Sequence, residues 1–266
     1  MALHVQELDP HPPDGPPVVL LHPGPGLDGS VFLPGARALV DAGFRALLVD
    51  LPGSGRSPAT DFTLRHAAAE VEALMTELHE PTLLGHSYGG YVAMQHLADF
   101  PGSAARLVAS CTDADEDEPE DAPADPFEGM PEAVAAGVRD AFEREESVRT
   151  PEECRQVWRD QLPFFAVDPA KVEPMLHDVV FQVEAHRGHD LGELRALDAL
   201  AATAVPVLAI AGSEDRATPP AAARRIAATA PRGELLVVDG VGHFPFAEAP
   251  DRYWPPLIGW LRDTSA

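Results

Sequence analysis

Three side chains are of the types, and fall at the places, that can make a nucleophile out of a hydroxyl. Ser87 stands in "GHSYG" (85–89), between an apolar run and a helical one. A serine hydroxyl is a weak nucleophile, so it must be presented without steric cover and beside a base. Gly85 and Gly89 take side chains away from a sharp strand-to-helix turn and leave Ser87 at its apex. His243, in "GVGHFPF" (240–246), is the candidate base. Asp215, in "GSEDRATPP" (212–220), is placed to hold that imidazole in one tautomer and to stabilise it when protonated. Singly, each has an ordinary explanation as a turn serine, a helix-capping carboxylate or a packed histidine. Together, each after an apolar strand-like run, they describe acyl transfer.

Such chemistry needs N–H donors aimed at the oxyanion that develops. One is expected from Tyr88, the residue after the nucleophile. The second is expected from "LHPGPGLDGS" (21–30), where Pro23 and Pro25 have no N–H, which leaves Gly24. His22 in that turn is read as a brace. Asp113, after another strand, is the rival to Asp215, and Glu214 is expected to point away. Cys111 is read as buried.

The elements that must position these residues alternate. "VVLLH" (18–22), "RALLVD" (45–50), "PTLLGHS" (81–87), "RLVASC" (106–111), "VPVLAIAG" (205–212) and "ELLVVDG" (234–240) read as buried strands. Helical patterns lie over 30–42, 63–80, 88–100 and 219–230, with a last helix ending near Arg262. This is the rhythm of βαβ units and predicts an α/β fold, a mostly parallel sheet with helices on both faces. The rhythm breaks after Cys111. The acidic, Pro-rich "TDADEDEPEDAPADP" reads as a solvated loop, and about 127–200 as mostly helical. The division predicted is a core of 1–112 and 201–266 with a helical insertion, or cap, over 113–200. The aromatic residues of the insertion are expected to hold a small core of its own, with Phe164 and Phe165 candidates to line an acyl pocket.

The chain has 266 residues, 19 basic against 43 acidic, for a formal charge of −24. That field argues against nucleic acid or an anionic membrane as partner and is compatible with an amine-bearing substrate. Its two cysteines, Cys111 and Cys154, form no disulfide framework. No signal-like or membrane-spanning run stands out, so a cytoplasmic location is expected. "HRGH" (186–189) has no partner at metal spacing, and neither a metal nor a cofactor is expected.

The order Ser87, Asp215, His243, with the elbow and the "HPGPG" turn, resembles the α/β-hydrolase superfamily from about Val18 onward. "DLPGSGRS" (50–57) is similar to that family's turn after the next strand, with Asp50 and Arg56 in structural roles. The resemblance implies a cofactor-free serine hydrolase acting on a small molecule or short peptide. "HPGPG" is similar to the HGGPG turn of proline iminopeptidases. Pro23 stands there for a glycine, and Leu51-Pro52 for a polar-basic pair. That likeness implies an aminopeptidase whose cap carboxylates hold the substrate amine, with Glu184 the candidate among Glu145, Glu146, Glu152, Glu153 and Glu184. The alternatives are a carboxylesterase or lactonase, a C–C bond hydrolase, a perhydrolase or lyase variant, and a low-turnover ligand receptor. The absence of an acid at position 87 argues against dehalogenase or epoxide hydrolase chemistry.

Overall fold

The short apolar runs assemble into one seven-stranded sheet of order β1-β3-β2-β4-β5-β6-β7. The strands are β1 (Val5–Glu7), β2 (Pro17–Leu21), β3 (Arg45–Val49), β4 (Thr82–His86), β5 (Arg106–Ser110), β6 (Val207–Gly212) and β7 (Gly233–Val238). Neighbours are parallel except β1, which pairs antiparallel with β3. The computed structural model describes residues 3–9, 15–59, 61–115, 123–188 and 194–264. Helices α1 (Leu33–Asp41), α2 (Leu64–Met75), α3 (Tyr88–Asp99), α4 (Glu132–Glu145), α5 (Pro151–Phe165), α6 (Pro169–Val172), α7 (Val183–Gly188), α8 (Leu197–Ala202), α9 (Pro220–Thr229), α10 (Pro245–Glu248) and α11 (Pro250–Asp263) complete it.

The central strands are apolar at consecutive positions because both faces are covered. Val18, Leu20, Leu48, Leu84, Val108 and Ile210 face the layer holding α1 and α11, with Leu39, Leu257 and Leu261 buried against them. Their neighbours Val19, Leu21, Val49, Leu83, Leu107 and Ala209 face α2, α3 and α9, through Val71, Val92 and Ile226. Each fully buried aliphatic side chain stabilises by roughly 1.5–3 kcal/mol, which fixes strand register to the pleat. β7 departs from the expected buried strand. As the edge of the sheet, it leaves Leu235 and Val237 exposed at 42% and 36%.

Between β5 and β6 the chain leaves the sheet, and its two ends meet again at an isolated bridge, Asp115 with Arg195. The Ala196 N–H donates to the Ala114 carbonyl beside it. The helices in this excursion start for local reasons: Thr150 and Glu153 form a capping box at α5, with Pro151 in its first turn. Helix is less continuous here than expected, since 166–182 is mostly short turns. Part of the excursion shares the core of the sheet. Val157, Trp158, Leu162, Val172, Met175 and Leu176 belong to the same buried cluster as the α1/α11 face of the sheet.

Candidate active site

The carboxyl ends of β4, β5, β6 and β7 form one rim, and the candidate residues stand on it. Ser87 follows β4 directly with φ 51° and ψ −117°. This is a strained backbone for a residue with a Cβ, at a typical cost of about 1–3 kcal/mol. Neighbours hold it there. The Ser87 N–H donates to the Ser110 carbonyl, and its own carbonyl accepts from Gly90 and Tyr91 N–H and from the Thr112 hydroxyl. The turn is as tight as glycine allows: a methyl on Gly85 would strike the Gly89 carbonyl, and one on Gly89 the Leu21 carbonyl. Ser87 is half-buried, whereas its neighbour His86 is fully buried.

Asp215 and His243 meet. The His243 Nδ1 lies 2.8 Å from Asp215 Oδ2, with both side chains buried. The carboxylate is oriented by donors from its own turn: Ala217 and Thr218 N–H to Oδ1 at 2.9 and 3.0 Å, and the Thr218 hydroxyl to Oδ2 at 2.9 Å. The Thr218 Oγ1 also sits 3.4 Å from His243 Nδ1. The rival carboxylate is committed elsewhere. Asp113 Oδ1 accepts from Arg225 at 2.6 Å and from the Ala114 N–H at 2.7 Å. Glu214 is exposed and accepts from the Ser213 hydroxyl.

The His86 ring lies 5.1 Å from that of His243, which brings the elbow and the base to one place. Burial, and then His243 itself, push the His86 pKa well below the usual histidine value. A neutral His86 therefore underlies the elbow, its Nδ1 3.0 Å from Ser110 Oγ. Cys111, expected only to be buried, has φ 45°, and its sulfur lies within 4.8 Å of donor atoms of both Asp215 and His243. Burial raises that thiol well above its ordinary pKa.

The "HPGPG" turn stands beside the elbow, where the Gly89 N–H donates to the His22 carbonyl at 3.0 Å. His22 does brace the turn. Its Nδ1–H donates to the Pro23 carbonyl at 2.9 Å and its Nε2 accepts from the Leu51 N–H at 3.1 Å. Gly24 has φ 53°, and its N–H donates to no protein acceptor among the described residues. Asp50 is structural as expected, accepting from Gly29 and Arg56 N–H.

The excursion between β5 and β6 covers this rim. The Phe165 carbonyl accepts from the His243 N–H at 2.6 Å, and its ring lies 5.4 Å from the imidazole. The Trp158 ring stacks on Phe165 at 5.6 Å and lies against Gly24. Phe164 packs with Phe127, Phe142 and Phe165 itself, one ring removed from the imidazole. Of the candidate amine ligands, Glu184, Glu146 and Glu152 are exposed, Glu153 caps α5, and Glu145 accepts from Gln161. His186 is buried on α7 against Gly26, and His189 lies outside the described residues.

Three contacts had no sequence signal of their own. Asp28 Oδ2 accepts from the Val180 N–H, and Glu248 accepts from Asp168 and Gly242 N–H, so both tie the excursion to the loops of the rim. Thr218, three residues after Asp215, could have been suspected as a local carboxylate partner.

A strained serine elbow, a buried carboxylate–imidazole pair on the neighbouring strand ends and a parallel sheet together define an α/β-hydrolase architecture. The chain matches the alpha/beta hydrolase family over residues 18–254 and belongs to it. It is 32% identical over 250 residues, 87% of its length and 89% of the relative's, to a pimeloyl-[acyl-carrier protein] methyl ester esterase of Xanthomonas campestris pv. campestris. Among solved structures it is similar to a thermophilic esterase from Thermogutta terrifontis, with TM-score 0.76, 25% identity and coverage of 99% of this chain and 94% of that one. A proline iminopeptidase of Mycobacterium smegmatis shares the fold at TM-score 0.64 and 21% identity, over 98% of this chain and 94% of that one. The protein is accordingly a hydrolase. No helix among the described residues is long and apolar enough to cross a membrane.

Proposed function

We propose that the protein is a serine carboxylesterase of small esters, with Ser87 as nucleophile, His243 as base and Asp215 as its orienting partner. The observation that carries this is the buried His243–Asp215 pair, 2.8 Å apart, on the rim that presents the strained Ser87. In this reading His243 Nε2 takes the hydroxyl proton as Ser87 Oγ bonds to the ester carbonyl carbon. The oxyanion is held by the N–H groups of Tyr88 and Gly24. The tetrahedral species collapses with loss of the alcohol, which leaves carrying the proton from His243. Water, deprotonated by His243, then attacks the acyl-enzyme and releases the acid and Ser87. Asp215 accepts the Nδ1–H throughout and stabilises the imidazolium.

The excursion over 113–200 acts as a cap in this reading, laying Phe165 and Trp158 over the rim as an apolar acyl wall. The esterase-named relatives favour an ester over the amide of an aminopeptidase. The peptidase reading keeps the "HPGPG" turn in its favour. The relatives' named substrate rides on a carrier protein, and a charge of −24 opposes docking of any acidic carrier here. A free small ester is the better fit.

The test compares p-nitrophenyl acyl esters with aminoacyl anilides of matched size, in the parent and in Ser87→Ala. Ester turnover lost in the variant is expected. A strong preference of the parent for a free α-amine would instead establish the peptidase, and ester turnover that survives Ser87→Ala would remove the nucleophile.

A further inference from the structure

The three tryptophans differ in what their indole N–H meets. Trp254 Nε1 donates to the Phe246 carbonyl at 3.3 Å, and Trp260 Nε1 to Glu234 at 2.9 Å. Trp158 Nε1 is buried, in a residue 7% exposed, and has no partner among the described residues. An orphaned buried donor is costly and calls for an explanation. Its place supplies one. An ideal methyl on Gly24 would lie 2.5 Å from Trp158 Cζ2 and 2.8 Å from Cη2, so the six-membered ring of the indole, whose Cζ2 is two bonds from Nε1, lies against the turn assigned to the oxyanion. Phe165 stacks on the indole and reaches His243 on its other side.

We propose that the Trp158 Nε1–H is a substrate-binding donor that takes a neutral acceptor oxygen, an ether, hydroxyl or second carbonyl, carried by the ester near its scissile carbonyl. The proposal rests on the esterase reading of the same site. An indole N–H can only donate, so a substrate amine gains nothing from it. A carboxylate would find no lysine or arginine among the side chains recorded against the indole and the base, Phe165, Phe244, His86, Thr218, Cys111 and Asp215, inside a chain of charge −24. A neutral oxygen pairs the donor and asks nothing more of an aromatic wall.

The test needs one reading that does not depend on turnover. The indole cross-peaks of 15N-tryptophan-labelled protein are followed while 4-methoxybutan-2-one or its isostere hexan-2-one is added, with Trp158→Phe identifying the Trp158 signal. The Trp158 signal is expected to move downfield with the methoxy ketone and not with hexanone. In parallel, kcat/KM is measured for p-nitrophenyl 3-methoxypropanoate against p-nitrophenyl pentanoate. The ratio of the two is expected to fall about fivefold in Trp158→Phe, the worth of one neutral hydrogen bond. A Trp158 signal that ignores the methoxy ketone overturns the proposal whatever the rates. So does an unchanged ester ratio, or a signal that answers only to Gln161→Leu, one turn along α5, whose buried Oε1 is also unpartnered. If the parent cleaves neither ester, the esterase reading fails, and the cross-peak still decides whether the indole is a donor to ligand.

Discussion

The rim of the sheet and the helical excursion above it are built under different constraints. On the rim, the turns that present Ser87 and Asp215 are made locally. Ser87 is fixed by a turn between β4 and α3, and Asp215 by the N–H groups of Ala217 and Thr218, two and three residues further along its own loop. In the excursion, the parts that reach the site are held by contacts distant in sequence. Gln182 bonds to Gly26 and Gly55, Val180 to Asp28, and Asp168 to Glu248. In the proposed esterase the rim would keep one chemistry while the excursion varies what enters, the division expected where function is grafted on a fold by its loops.

The sharpest way to break this comparison is at the rim. Ser87→Ala is expected to lower kcat for an activated ester by about 10⁴-fold or more, and Asp215→Asn by roughly 10⁴-fold through the wrong histidine tautomer, with thermal stability little changed in the serine variant. Next comes Thr218→Val, which deletes the hydroxyl donor on the Asp215 oxygen that also meets His243. About a tenfold loss in kcat at unchanged KM is expected, since hydrogen bonds to charged groups contribute roughly 1.5–3 kcal/mol. Steady-state kinetics separates this from a binding defect. A change in the excursion should behave the other way. Phe165→Leu is expected to change kcat/KM between short and long acyl esters by about fivefold while keeping the rim's chemistry. An equal loss for all esters would show that Phe165 serves the base rather than the acyl chain.

The smallest effect concerns three buried histidines, His22 and His86 at the rim and His96 in the last turn of α3. Burial lowers the pKa of His22, His86 and His96 below the usual 6.5. The unfolded chain takes up these protons as pH falls through that value while the native chain does not. Their contribution to stability is thus full above pH 6.5 and declines below it, by up to about 1.4 kcal/mol per pH unit for each histidine. Asp113 and Glu248, raised by burial, act in the opposite sense at lower pH. Urea midpoints measured downward from pH 7 should fall, and His96→Gln should make the fall shallower.

The same contrast explains what could be read from the sequence. β2 to β6 were legible because strands buried on both faces are continuous apolar runs, and the meeting of Asp215 with His243 could be anticipated because each follows a strand within a few residues. β1 was missed, since three residues, "VQE", carry no pattern and pair only through the backbone of β3. The exposed face of β7 was missed because edge position is a property of the whole sheet. In the excursion, helix caps such as Thr150 with Glu153 are local, but which aromatic ring reaches His243 is not. Phe165 does and its neighbour Phe164 does not, a difference of one helical position that composition cannot express. The candidate carboxylate Glu184 is exposed for the same reason: its place depends on how Gln182 docks on the Gly26 turn.

The central claim is that Ser87 is the activated nucleophile of the rim. Mass spectrometry of the intact and digested protein after treatment with a fluorophosphonate tests it most directly. One adduct per chain on the peptide containing "GHSYGG" is predicted, lost in Ser87→Ala and slowed in Asp215→Asn. An adduct on another residue, or equal labelling of Ser87→Ala, would contradict it.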